Sequence, residues 1–383
     1  MPAIAIKRTY HLDQQTPMVH FQSDEEGATL RASEVKPKLD RFIIAQLGDG
    51  DYKKGVKEAL SRGWLVGNGE HPALNYKLRF VACGEPNIDE PHDLYFGNIG
   101  VASEKRRKTV FYPNGVDMTV ICSNEDMHER IEFFLPVFFV LHAFGTRSSK
   151  GFGCYAIGDI PAALEQYCPM RAYYFIEYQN KKTYEKFLDD IWVISGMIKS
   201  GFNFTFRHSS DYYKGHIFRY YSDKGIGGDK AFIKQKILNR AKDDNLNSEE
   251  KSSYNEFRFV RAMLGLPGGF EFKSGPKTTR RDKVEVQSTD IERFQSPVHF
   301  RVQGKTLLII PQTIPEKMID TVFSLNGHAI KTPLKFDLID FLDSFCARFN
   351  SRTVIANFES KKIRRQLITD TRLMLRKAGG EST

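Results

Sequence analysis

Three glycines and two cations stand close together in His142-Ala-Phe-Gly-Thr-Arg-Ser-Ser-Lys-Gly-Phe-Gly-Cys-Tyr155, between a strongly apolar run and a short β pattern. Gly145, Gly151 and Gly153 can take backbone conformations closed to other residues, so the main chain can come close to a ligand. Arg147 and Lys150, with Ser148 between them, add positive charge and polarity to that approach. This chemistry suits a phosphate backbone. The helix predicted before the stretch turns the negative end of its dipole towards it, so anion binding must come from the cations and from amide N–H groups. The segment lacks the Gly-x-x-x-x-Gly-Lys-Ser/Thr spacing of a nucleotide loop, and no Gly-x-Gly-x-x-Gly follows a strand pattern. The plain alternative is a helix end followed by a glycine turn whose charges are merely solvated.

Further cations stand where chain elements change. Arg31 and Lys36 mark a loop-to-helix junction, Lys105, Arg106 and Arg107 lead with Lys108 into a β pattern, and Lys277, Arg280 and Arg281 belong to a glycine- and proline-rich stretch, Pro267 to Lys283. That stretch reads as a mobile basic loop. For each of these cations solvation explains the charge as well as phosphate contact does. Tyr212, Tyr213, Tyr220 and Tyr221 are candidates for stacking on bases, although at 13% aromatic content most rings fill cores. The rival chemistry is a metal-independent endoribonuclease with His20 or His142 as general base and a lysine stabilising the charged transition state. Spacing singles out neither histidine, and one that ends an apolar helix, as His142 does, is more often structural. The acid pairs Asp189-Asp190 and Asp243-Asp244 fall on helical or loop surfaces. No catalytic residue, metal ligand or cofactor is therefore assigned.

The whole chain is consistent with a polyanionic partner. Its 383 residues suffice for about two domains. The net charge is +9, with 27% charged and 41% hydrophobic residues and 30 phenylalanines, the composition of a globular rather than a disordered chain. The five cysteines are odd in number and scattered, with no Cys-x-x-Cys pair and no Cys/His cluster at zinc spacing, which points to a reducing cytoplasm. No apolar N-terminal leader is visible. The longest apolar run, Ile131 to Phe144, is too short to cross a bilayer and contains Pro136, so a soluble protein without a membrane partner is expected.

Periodicity then supplies the elements that must hold the glycine loop. A strand is predicted from Ala3 to Leu12, a helix from Ser33 to Leu47, a glycine-rich excursion from Asp49 to Pro72, and a strand from Leu74 to Cys83. A hairpin joins Thr109–Tyr112 to Val116–Cys122, Ser123 and Asp126 form a capping box for the apolar helix, and Phe152–Ile157 closes with a strand. Strand, helix, strand, strand, helix, strand is the split βαβ order of a ferredoxin-like fold. The second half begins again with a strand at Arg171–Tyr178 and a helix at Tyr184–Ile198. A long insertion at about 203–290 follows, with helices near Ala231–Ala241 and Tyr254–Leu264. A hairpin (Val298–Val302 with Thr306–Ile310), a helix (Phe336–Phe349), a strand (Thr353–Asn357) and a basic helix (Lys361–Lys377) complete it. The expected fold is α+β: two tandem ferredoxin-like domains, residues 1–165 and 166–383, the second heavily inserted.

The order of the motifs carries a resemblance. Thr16-Pro17, Leu30-Arg31-Ala-Ser-Glu-Val-Lys36, Phe144-Gly-Thr-Arg-Ser-Ser-Lys-Gly-Phe-Gly153, Leu264-Gly-Leu-Pro267 and Glu292-Arg-Phe-Gln-Ser-Pro-Val-His-Phe300 together resemble the RAMP superfamily of CRISPR effector proteins. Within it the pattern is most similar to the first subunit of the type III-B (Cmr) complex. The resemblance implies that Gly145–Gly153 contacts RNA and that Arg293, Ser296 and Pro297 form the second-half signature. It also implies a non-catalytic subunit near the guide's 3′ end that helps hold target RNA in antiviral defence. Its partners would be guide RNA, target RNA and other subunits of the effector. The alternatives are a guide-processing nuclease and a purely structural subunit.

Overall fold

The computed structural model describes residues 5–19, 28–67, 72–89, 108–206, 209–239, 254, 256–273, 281–351, 358–360, 363–365 and 374–380. The chain divides into two compact units. One comprises Met1–Cys168, Tyr178–Leu188 and Phe300–Leu308; the other comprises Pro169–Glu177, Asp189–His299 and Ile309–Thr383. The two short exchanged segments have no counterpart in the sequence reading.

In the first unit, Ile6–Gln14 is the opening strand, with side chains alternating between a helix-covered face and an open one. It runs antiparallel to Val116–Cys122 on one side and to Tyr155–Ala156 on the other, and Tyr76–Ala82 pairs with the far edge of Val116–Cys122. Counting these four strands in chain order, the sheet reads second, third, first, fourth. Helices Ala32–Leu47 and Glu125–Leu141 supply the crossovers. Between them and the sheet lie Leu12, Val35, Leu39, Ile43, Val116, Met118, Val120, Ile131 and Phe138, all buried. Burying such a row stabilises by roughly 1.5–3 kcal/mol per large side chain.

Several expectations for this unit are corrected. The excursion after Asp49 contains a helix, Tyr52–Ser61, capped by Asp51, whose carboxylate accepts from the amides of Lys53 and Lys54. Gly55 had read as a loop signal; instead it lets the two helices touch, since a Cβ there would stand 1.7 Å from Ile44 O. Thr109–Phe111 and Val116–Cys122 do not form a hairpin with each other. The former pairs with Met18–Val19 and Asn87–Asp89 in a separate small sheet. The second long helix is capped by Asn124, which accepts from Met127 N at 2.8 Å, and not by Ser123.

In the second unit, Ala172–Glu177 pairs antiparallel with Arg376–Gly379. Val298–Gln303 and Thr306–Pro311 form the expected hairpin, whose central part, Phe300–Leu308, belongs to the first unit. Helices Tyr184–Ile198 and Leu338–Ser351 fall where periodicity placed them. The supposed mobile loop from Pro267 to Lys283 instead contains two strands, Gly269–Lys273 and Arg281–Gln287, paired in a hairpin. They continue into Val322–Leu325 and His328–Lys331, and Phe259, Met263, Val284, Met318, Phe323 and Leu325 form a core beneath this sheet. The helix expected near Tyr254–Leu264 is a short strand, Glu256–Arg258, followed by a 3-10 turn, Val260–Leu264. Of the span expected as a basic C-terminal helix, the described residues Ile363–Arg365 and the segment Arg376–Gly379 are strands, and most of the rest lies outside the described residues. The strand expected at Thr353–Asn357 lies outside the described residues.

Candidate RNA-backbone site on the glycine loop

The loop begins where the helix Glu125–Leu141 stops. His142 turns extended, and its backbone N–H donates to Phe138 O. Its imidazole Nδ1 donates to the same carbonyl at 3.0 Å, and the ring stacks on Phe138 at 4.5 Å between centroids, with Phe42 meeting it edge-on. Burial, aided by Arg301 and Lys38, lowers the pKa of His142 to about 4. It is a neutral core ring at physiological pH. The rival base, His20, lies outside the described residues.

From Phe144 onward the loop is held on both sides by backbone hydrogen bonds. Phe144 N donates to Gly153 O, Thr146 N to Val19 O, Gly153 N to Pro17 O, and Cys154 N to the Thr16 hydroxyl. Thr16-Pro17 and the glycine loop, two separate motifs in the sequence, are thus one hydrogen-bonded structure. Gly145, Gly151 and Gly153 have φ of +75°, +80° and +67°, the left-handed region that glycine enters without a side-chain penalty. Arg147 adopts φ +59° as well, an uncommon conformation for a residue with a Cβ. Among the described residues no hydrogen bond occupies the amides of Ser148 and Ser149. The turn therefore offers backbone donors together with its cations.

A residue that sequence reasoning missed anchors the far side. Arg301 is buried, and its guanidinium donates to Leu141 O at 3.1 and 3.0 Å, to Ser148 O at 2.8 Å and to Phe300 O at 2.7 Å. Leu141 O is one of the carbonyls left unpaired by the end of the helix, so Arg301 both satisfies it and opposes the negative end of the dipole. Ser149 O accepts from Phe300 N at 3.1 Å, and Lys150 forms a parallel bridge to Phe300. No local sequence signal exposes this clamp, which joins residues 160 apart.

Arg147 and Lys150 are both half-buried. The Lys150 amine lies 6.0 Å from the centroid of the Phe300 ring. Burial, and secondarily the charge of Arg147, lowers the Lys150 pKa to about 8. Burial also lowers that of Arg147, which remains charged. A base with a depressed pKa makes the folded chain resist protonation, so its contribution to stability grows as pH rises through about 8 towards the ordinary lysine value. An anion bound beside the amine would raise its pKa again.

The remaining candidates separate clearly. Arg31 is half-buried at the start of the helix Ala32–Leu47; Glu34, in the first turn, accepts from Gly145 N at 3.0 Å, so that helix start adjoins the loop. Lys36 is engaged within the fold: its amine binds the Asp40 carboxylate at 2.6 Å and Leu74 O at 2.8 Å, and buried Asp40 requires that partner. Arg281 is paired with Glu271 at 2.9 Å on the inserted hairpin of the second unit. Arg293 is exposed in that unit. There the second-half signature forms its own local structure: Leu266 N donates to Phe294 O, and Gly265, at φ +104°, would bring a Cβ within 2.9 Å of Ser296 N. Tyr213, Tyr220 and Tyr221 are core residues, while Tyr212 donates to Ser200 O. Lys105, Arg106, Arg107, Lys277 and Arg280 lie outside the described residues.

The clamped, doubly cationic glycine loop thus sits between the helix Glu125–Leu141 and the last strand of the four-stranded sheet, the position at which the sequence resembles the RAMP superfamily. Family models identify the branch: the Cmr1 N-terminal domain matches residues 5–202 and the Cmr1 C-terminal domain matches 212–368, and the chain belongs to the Cmr1 family. Among solved structures it is similar to Cmr1 from Pyrococcus furiosus in the apo form. The two share 12% identity over 82% of this chain and 90% of that one, with a TM-score of 0.37. It is also similar to a chain in the cryo-EM structure of the type III-B Cmr-beta bound to cognate target RNA, at 14% identity, 41% coverage and a TM-score of 0.25. This chain spans 60% of the length of that second neighbour. No curated protein matches the sequence.

Proposed function

We propose that the chain is a non-catalytic RNA-binding subunit of a type III-B CRISPR (Cmr) effector, seated near the guide's 3′ end and helping to capture target RNA in antiviral defence. In this reading the two sheets are tandem ferredoxin-like folds, and the loop at the last crossover of the first meets the RNA backbone. The observation that carries the proposal is the placement of Arg147 and Lys150. Both are half-buried side by side on a turn fixed by left-handed residues and by the Arg301 clamp. Two neighbouring cations on a fixed turn suit the charge of a phosphate backbone. Family membership supports the setting, and the partners would be guide RNA, target RNA and other Cmr subunits in the cytoplasm. Among the described residues no helix is long and apolar enough to cross a membrane.

The nuclease reading is disfavoured by His142. Its Nδ1 is engaged, its ring is stacked in the core, and a base with a pKa of about 4 is poorly matched to proton abstraction near neutrality. Measuring RNA affinity against salt tests the proposal. Arg147→Ala combined with Lys150→Ala is expected to weaken binding of single-stranded RNA by about tenfold or more and to flatten the log–log salt slope by about 0.7 per lost phosphate contact. Affinity of the unsubstituted chain should also decline between pH 7 and pH 9 as Lys150 loses its proton, a decline absent from Lys150→Ala. An unchanged affinity and slope in the double variant rejects the assignment.

A further inference from the structure

The open face of the first sheet brings together three side chains that no local spacing connects. His11 and Asp117 stand directly opposite each other on paired strands, with His11 Nδ1 2.9 Å from Asp117 Oδ1. On the next strand Val81 pairs with Asp117, and Cys83, just beyond the end of that strand, donates its backbone N–H to Gly115 O. One potential ligand atom from each of His11, Cys83 and Asp117 lies within 4.8 Å of the other two. This is the only such grouping of histidine, cysteine and acidic side chains among the described residues. We propose that His11 Nδ1, the Cys83 thiolate and the Asp117 carboxylate form a divalent-metal site of the zinc class.

The donor set is that of zinc: one imidazole, one thiolate and one carboxylate. Metal–ligand distances of about 2.0–2.3 Å place tetrahedral ligands roughly 3.3–3.6 Å apart. The three atoms, now within 4.8 Å of one another, would have to draw together by side-chain rotation to meet that geometry. The thiol gives up its proton to solvent, the imidazole takes the Nε2–H tautomer so that Nδ1 is free to ligate, and the metal's double positive charge replaces the hydrogen bond now linking His11 to Asp117. Asp13 Oδ1 lies 3.8 Å from His11 Nε2, beyond hydrogen-bond distance but near enough to favour a proton on that nitrogen once Nδ1 ligates.

The ring also has a built seat. Gly115 has φ +71°, and a Cβ there would stand 2.8 Å from His11 Nε2 and 2.4 Å from Leu12 O, so glycine is what admits the imidazole. As a surface contact alone, the His11–Asp117 pair contributes at most about 1 kcal/mol. Three protein ligands leave a fourth position for water, the pattern of an open rather than a closed zinc site. The site is separate from the glycine loop and independent of the RNA assignment.

Cobalt(II) titration of the metal-stripped full chain tests the proposal. One equivalent should bind with a thiolate-to-cobalt charge-transfer band and the visible absorption of four-coordinate cobalt, and one equivalent of zinc should displace it. Cys83→Ser is expected to abolish the charge-transfer band, and His11→Gln to lower affinity at least tenfold. Asp13→Asn should weaken binding by about 10–100-fold while leaving the spectrum intact. His11 is exposed and Cys83 half-buried, so these variants should fold, as circular dichroism would verify. Absence of the band in the unsubstituted chain, or its persistence in Cys83→Ser, overturns the assignment.

Discussion

Replacing Gly153 by alanine is expected to destabilise the first unit by about 3 kcal/mol or more and to abolish loop-dependent RNA binding. Two costs combine at this position. A residue with a Cβ pays roughly 1–2 kcal/mol to occupy φ +67°. The new carbon would also stand 2.0 Å from Phe144 O and 2.9 Å from Phe144 C, backbone atoms that no rotamer change can move. Gly153 O accepts from Phe144 N, and Gly153 N donates to Pro17 O, so relieving the clash breaks the bonds closing the loop. Denaturant midpoints together with RNA affinity check this. A Gly153→Ala protein with unaltered stability would mean that the loop is not closed in this way.

Arg301→Met should have an effect of similar size through a different cause. Methionine fills much of the same volume but donates nothing, so Leu141 O and Ser148 O lose their buried partner. Each unsatisfied buried carbonyl costs about 1–3 kcal/mol, for a total of roughly 3 kcal/mol partly offset by no longer burying a charge. The helix end would again present its negative pole to the loop. RNA affinity should therefore fall even though Arg301, buried beneath the loop, need not touch RNA. Thermal unfolding and a binding titration on the same preparation separate the two losses. Arg301→Lys should recover only part of either, because a single ammonium cannot reproduce the fork of the guanidinium.

What could be read from the sequence was what is locally encoded. The opening strand, the helices at Ala32–Leu47, Tyr184–Ile198 and Leu338–Ser351, and the hairpin around Gln303-Gly304 all carry their period or turn chemistry in adjacent residues. The glycine loop was legible for the same reason, since a left-handed backbone has to be written as glycine. Non-local relations were hidden. Gly55 is a packing residue only because Ile44 O of the preceding helix approaches it. Phe270 and Phe272 belong to a strand because Arg281–Gln287 returns to pair with them, and the intervening glycine and cations mask that pattern.

The same limit applied to the site. Lys36 looked available to a phosphate until the fold placed Asp40 and Leu74 O around its amine. Arg301 looked like one alternating residue of a hairpin until its guanidinium was found beneath the helix end. His11, Cys83 and Asp117 belong to separate strands, so only the register of the sheet reveals them as a group. Charge and glycine marked the candidate loop, whereas long-range contacts decided which cations are engaged within the fold.

The most direct measurement is photocrosslinking of thiouridine-substituted guide RNA to the full chain, followed by identification of the linked peptides by mass spectrometry. Crosslinks are predicted within His142–Tyr155, with Arg31 at the adjoining helix start as the next region labelled. Crosslinking confined to other segments, with the glycine loop unlabelled, would contradict the account.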